Sequence, residues 1–241
     1  MNHGNARTPG HDARGWVVLA TDTGVGKTVV SCALARLLID HGLLPRVRKP
    51  VETGCKIVHG ERLPADGIAL REAADGRESL EAICPIRYLT PVAAPEAARR
   101  EGETLSFKRD LAPILDRSLA DLPARERVII ESAGGLLSPL ADDALNVRLA
   151  EYADLPSILV TPDRLGTLSS TLTAVESLHQ RQLPIAAIIL NRRPNDPTGP
   201  DCPDNAASLR EWLPRLVPTP PPVIAFHDPQ RPDALLPLLD H

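Results

Sequence analysis

Aromatic residues are nearly missing from this 241-residue chain: two Trp, two Tyr and two Phe, or 2% of the sequence. That scarcity excludes a stacking platform for bases and an aromatic belt at a membrane surface. No apolar run approaches the ~18 residues a membrane-spanning helix requires. No Cys-x-x-Cys pair occurs among the four cysteines, Cys32, Cys55, Cys84 and Cys202, which argues against a zinc site and for free thiols in a cytoplasmic protein. An excess of positive charge is also absent. The net charge is −4 and the basic residues are scattered, so no nucleic-acid partner is expected. Met1 to Arg14 lack an apolar core, as a disordered leader does. Residues 15–241 read as one α/β domain.

Lysine is the scarcest basic residue, with only Lys27, Lys49, Lys56 and Lys108 among 27 Lys and Arg. Where a chain so biased towards Arg keeps Lys is informative. Lys27 lies in Thr21-Asp22-Thr23-Gly24-Val25-Gly26-Lys27-Thr28, between an apolar strand-like stretch, Trp16 to Ala20, and a helix-like stretch from Val29 to Ile39. A glycine-bearing turn closing on Gly-Lys-Thr at a strand-to-helix junction is built to hold phosphates. Backbone N–H groups face the anion, Lys27 brings a compact charge to the β- and γ-phosphates, and the Thr28 hydroxyl can ligate Mg²⁺. The pattern asks for Gly where Thr21 stands, so the triplet is weak alone and strong in this context. A plain β-to-α turn with a surface lysine is the alternative.

Short apolar runs alternate with helical periodicity along the rest of the chain. Trp16–Ala20, Val47–Val51, Val128–Glu131, Ser157–Thr161, Ile185–Asn191 and Val223–Phe226 read as strands, several of them apolar on both faces. Helices are expected over Thr28–Asp40, Asp66–Ala74, Pro95–Arg100, Phe107–Leu119, Asp143–Tyr152, Thr167–Gln180 and Asn205–Trp212. Gly42 stands where a helix-ending glycine belongs. The alternation implies a three-layer, doubly wound, mostly parallel sheet, with ligands gathered at the carboxyl ends of its strands. The proline-rich stretches Pro194–Pro203 and Pro214–Pro222 read as loops.

Polar residues mark those strand ends. Lys49 sits in an apolar stretch, where an unpaired ammonium is costly; it is either an edge lysine or a second cation beside the phosphates. Thr53 and Gly54 follow, placed to hydrogen-bond a substrate. Glu131 ends a buried strand and precedes small residues, Ser132-Ala133-Gly134-Gly135, which suits a Mg²⁺ contact or a helix cap. Asp66, after Pro64 and Ala65, reads by itself as an N-cap. Asn191 carries donor and acceptor together, fit to read a purine edge or to form a turn before Arg192.

Taken in order, these segments resemble the dethiobiotin synthetases, ATP-dependent cyclo-ligases of biotin synthesis and phosphate-loop NTPases in fold. The resemblance runs from about Trp16 to Trp212 and includes Lys49-Pro50-Val51-Glu52-Thr53-Gly54, Asp66, Glu131 to Gly135, Leu165-Gly166-Thr167 and Asn191. It implies ATP and Mg²⁺ as cofactors, with 7,8-diaminononanoate and CO₂ or bicarbonate as substrates, and a cytoplasmic homodimer. It implies that Gly24, Val25, Gly26, Lys27, Thr28 and Val29 bind the nucleotide, together with Gly134, Asn191 and Arg192. Thr28, Asp66 and Glu131 would hold the metal; Lys27 and Lys49 would serve phosphate and carbamate in catalysis; Thr23 and Thr53 would touch the diamine. The chain departs from the family at Gly24, where many members carry Glu, and at Thr53, where Ser is commoner. Glu96 replaces a frequent histidine, and the ending Val223 to Asp228 lacks the usual glycine. A partition-type nucleotide switch would need its signature lysine at Asp22.

Overall fold

The computed structural model describes residues 14–192, 196 and 202–239. Met1 to Ala13 of the expected leader lie outside them, as does most of the Pro194–Pro203 loop.

Strand β1 (Gly15–Ala20) leads through the glycine-bearing turn into helix α1 (Lys27–Asp40) and back to β2 (Leu44–Arg48). Gly42 follows α1 as expected, with its N–H and that of Leu43 bonded to the Ile39 and Leu38 carbonyls. Three short strands come next, β3 (Val51–Thr53), β4 (Lys56–Val58) and β5 (Glu61–Leu63), then α2 (Ala65–Ala73), α3 (Leu80–Ile83), β6 (Ile86–Tyr88) and α4 (Ala94–Arg100). A π turn at Phe107–Leu111 opens α5 (Ala112–Leu119), which is followed by β7 (Glu126–Glu131). The hairpin β8 (Pro139–Ala141) and β9 (Ala144–Leu145) precedes α6 (Arg148–Ala153), β10 (Ser157–Pro162), α7 (Thr167–Gln180) and β11 (Ile185–Asn191). Helix α8 (Asn205–Leu216), β12 (Val223–Phe226) and a 3₁₀ turn over Pro232–Leu238 complete the described chain.

Six strands form one sheet in the order β12-β11-β10-β1-β7-β2, every pairing parallel. Alternate residues of each strand enter opposite cores. Val17, Leu19, Ile130 and Leu159 pack against α5 to α8, whereas Trp16, Val18, Ile129 and Ile158 pack against α1 and α2. Burial on both faces is why these strands read as unbroken apolar runs. The doubly wound, three-layer parallel architecture is therefore the one expected.

Several boundaries differ from expectation, each for a local reason. The strand expected over Val47–Val51 stops at Arg48. Pro50 has no N–H for a ladder, and the Lys49 N–H turns to the Ile83 carbonyl at 2.8 Å, so Val51–Thr53 pairs with β6 in a separate sheet. The helix expected over Asp143–Tyr152 begins at Arg148, because Ala144 and Leu145 pair with Ala141 and Pro139 instead. Asn205–Trp212 extends to Leu216, with Pro214 inside the last turn.

Candidate active site

The turn after β1 and the turn after β7 lie side by side, since the two strands are neighbours and both point their carboxyl ends to the same edge. Strand order reverses beside β1, the place where doubly wound sheets bind ligands. A cleft of about 670 Å³ opens there. Thr23, Gly24, Gly26, Lys27, Thr28 and Val29 form its wall on the β1 side, and Lys49, Thr53 and Asp66 face them. Gly134 and Asn191 close the remaining sides. Glu131 is buried beneath, 1% exposed. Val25 and Arg192 are not among the lining residues. The Val25 side chain is buried in the core, and the Arg192 guanidinium pairs with the Asp163 carboxylate.

One charge cluster organises the floor. The Lys49 ammonium lies 2.8 Å from Glu131 Oε1 and 3.0 Å from Asp66 Oδ2, and also donates to the Ser132 carbonyl at 3.1 Å. It is thus a buried, fully partnered cation at a strand end, not a lysine reaching solvent from an edge. The Thr28 hydroxyl donates to the same Glu131 oxygen at 2.8 Å. Lys27, the first residue of α1, reaches across to the Gly134 carbonyl at 2.9 Å.

The protonation states follow from these contacts. Burial lowers the Lys27 ammonium to about 8 from its usual 10.5, and the neighbouring Lys49 adds to the effect; Glu131, Asp66 and Asp22 oppose it. Burial also works against the Lys49 charge but is outweighed by Glu131 and Asp66, so Lys49 is held above the ordinary lysine range. For Asp66, burial pushes up while the Lys49 charge and hydrogen bond pull down more strongly, leaving the carboxyl below its usual value.

Thr28, Asp66 and Glu131 supply hard oxygen donors suited to Mg²⁺. Glu131 Oε2 is buried and has no hydrogen-bond partner among the described residues, a costly state that an added cation would relieve. No group of three or more His, Cys, Asp or Glu side chains able to hold a metal occurs among the described residues. An ion here would complete its shell with phosphate and water oxygens, as Mg²⁺ ordinarily does.

One expectation changes in detail. Asp66 is not the N-cap of α2; that position is Pro64, whose side chain caps nothing. Glu96 sits on the exposed face of α4, paired with Arg99 and Arg100, whereas Pro91 to Ala94 supply that segment's contribution to the cleft. Sequence reasoning missed Glu52, a buried carboxylate of the cleft, and Asn146. The Asn146 amide donates to the carbonyls of Ala133, Gly135 and Ser138 and accepts the Ala133 N–H, which fixes the loop carrying Gly134. Pro64 before a helix without its own cap was the available signal for Glu52. Asn146 left none, because its partners are defined only by the fold.

Cys32, Cys55 and Cys84 are buried free thiols, Cys202 is half-buried, and no described helix is long and apolar enough to cross a membrane.

A parallel sheet whose first turn sets a buried lysine against the Gly134 carbonyl and a threonine against a strand-end glutamate defines a nucleotide-binding α/β protein of the phosphate-loop class. The family model described as "AAA domain" matches residues 14–219. The chain is 44% identical over 197 residues to the ATP-dependent dethiobiotin synthetase of Anaeromyxobacter dehalogenans strain 2CP-C, covering 81% of this chain and 84% of that protein. It is 35% identical over 210 residues to the enzyme of the same name from Rhodopirellula baltica, covering 82% and 79%. The chain belongs to the ATP-dependent dethiobiotin synthetase family. Among solved structures, the septum site-determining protein MinD with Mg-ADP from Pyrococcus horikoshii matches 94% of this chain and 86% of its own at 17% identity, with a TM-score of 0.46.

Proposed function

We propose that this cleft carries out the dethiobiotin synthetase reaction: ATP-driven closure of a cyclic urea on 7,8-diaminononanoate and CO₂. The observation that carries the reading is the Lys49 ammonium, buried between Glu131 and Asp66 on the same floor as Lys27 and Thr28.

One amine of the diamine adds CO₂ and loses a proton, giving a carbamate. The γ-phosphoryl group of ATP passes to a carbamate oxygen and ADP departs. The second amine attacks the carbamate carbon and gives up a proton to solvent, the C–O bond to phosphate breaks, and inorganic phosphate leaves as the ring closes. No covalent nucleophile is required of the protein. Its task is to bring two anions together that repel, the carbamate and the γ-phosphate. Lys27 and the N–H groups of the β1 turn hold the phosphates, and Lys49 balances charge on the carbamate as phosphoryl transfer proceeds. Thr23 and Thr53 line the cleft, and their hydroxyls would bond the diamine. Thr28, Asp66 and Glu131 would hold Mg²⁺, which would supply positive charge against the phosphates. The reading extends to a cytoplasmic homodimer, which the family resemblance implies; analytical ultracentrifugation tests the assembly.

The discriminating experiment measures phosphate release and cyclic urea together. Both should appear only when diamine, bicarbonate and ATP are present. Steady ATP hydrolysis without diamine, and no urea with it, would replace this reading with a nucleotide switch.

A further inference from the structure

Glu52 is a buried, charged side chain of the cleft to which the reaction assigns no part. It lies in β3, 6% exposed, one residue before Thr53. Its Oε1 accepts the Asp66 N–H and its Oε2 the Gly67 N–H, each at 3.0 Å. The Cys84 thiol approaches Oε2 at 3.9 Å. Asp66 and Gly67 are the second and third residues of α2, so their N–H groups have no partner within the helix. A carboxylate from another element meets both donors and the positive end of the helix.

The helix is seated closely on this support. A Cβ on Gly67 would lie 2.9 Å from Cys84 Cβ and 3.1 Å from the Pro64 ring. The residue whose backbone Glu52 holds is the one whose side chain reaches the charge cluster, with Asp66 Oδ2 at 3.0 Å from Lys49 Nζ. Main chain and side chain of Asp66 are thus fixed from opposite sides.

We propose that Glu52 is a positioning residue: by clamping the Asp66 and Gly67 amides it sets where the Asp66 carboxylate stands beside Lys49 and Glu131, and so sets the affinity of the site for a divalent cation. The inference rests on the reading of Asp66 as a cation ligand. Two acceptor oxygens at fixed spacing are needed. Glutamine would offer one acceptor and turn an NH₂ group against the other N–H. Aspartate would keep the charge but fall one methylene short.

The test uses the full chain as wild type, Glu52→Gln, Glu52→Asp and Asp66→Asn. Mg²⁺ is titrated calorimetrically into each protein saturated with ADP. The affinity for ADP without metal and the melting temperature are measured in parallel. The expected result is a loss of Mg²⁺ affinity on the order of 10- to 100-fold in both Glu52 variants, with metal-free ADP affinity unchanged. Glu52→Asp decides the matter alone if Glu52→Gln does not fold. An unchanged Mg²⁺ affinity in the Glu52 variants, whatever the melting temperature does, would make Glu52 a helix cap and nothing more. If Asp66→Asn also leaves Mg²⁺ binding unchanged, the ligand reading of Asp66 fails first. If Asp66→Asn weakens it and the Glu52 variants do not, only the positioning role fails.

Discussion

Asn191 donates from its amide nitrogen to the Val25 carbonyl oxygen, 2.8 Å away and 166 residues earlier in the chain. The end of β11 thereby braces the turn after β1, although β10 lies between the two strands. Sequence alone left Asn191 between a purine edge and a turn; in the fold one N–H of its amide is given to the turn after β1.

That brace makes Gly26 irreplaceable. Its φ is +98°, and a Cβ there would lie 2.0 Å from Asn191 Nδ2. Gly26→Ala is expected to abolish ATP binding, because the turn cannot keep its shape and its contact at once. Asn191→Ala should cost about 1–3 kcal/mol through the buried Val25 carbonyl left unpaired, and should weaken ATP binding less than Gly26→Ala does. Thermal melts and nucleotide titrations check both. Equal ATP affinity in Gly26→Ala and wild type would show that the turn does not cradle phosphate.

Lys49→Ala should lower turnover by roughly 10²–10³-fold while ATP still binds, if Lys49 stabilises charge only as the phosphoryl group moves. It also leaves Glu131 buried without its cation, a loss of about 3–5 kcal/mol. Turnover is therefore best measured at low temperature, with folding followed by circular dichroism. A variant that closes the urea at the wild-type rate would remove Lys49 from the mechanism.

Glu131→Gln should raise the Mg²⁺ concentration needed for half-maximal rate. The substitution keeps the shape but removes the charge from the oxygen that now lies buried without a partner. A metal titration superimposable on wild type would reduce Glu131 to an anchor for Thr28 and Lys49.

Lys27 predicts a pH dependence with a definite sign. In the free protein burial lowers its ammonium to about 8, so it loses its proton above that pH. Bound phosphate favours the charged form and raises the value again. Below pH 8 the ammonium is present before and after binding, and affinity is flat. Above pH 8 binding must take up a proton, so ATP affinity falls with rising pH, by up to about tenfold per unit. Calorimetry in buffers of different ionisation enthalpy would detect the uptake. Affinity independent of pH between 7 and 9 would contradict the lowered value.

Much of the architecture was legible in the sequence for a simple reason. Strands covered on both faces are apolar throughout, and α1 is announced by a glycine-lysine-threonine turn. The short elements were not legible. Val51–Thr53, Lys56–Val58 and Ala144–Leu145 are too brief to show a period, and each exists only because a partner strand is supplied nearby.

The same division holds at the active site. Lys27, Thr28, Lys49 and Glu131 declared themselves as polar residues at the ends of apolar strands or at the start of a helix, a pattern local in sequence. Asp66 looked like an ordinary cap, Glu52 like one more polar residue after a strand, and Asn146 like nothing in particular. The sequence by itself determined which side chains could bear charge at the strand ends. Only the tertiary structure decided which charges neutralise one another, because Coulomb energy and hydrogen bonding act over a few ångströms in space and take no account of the 82 residues separating Lys49 from Glu131 along the chain.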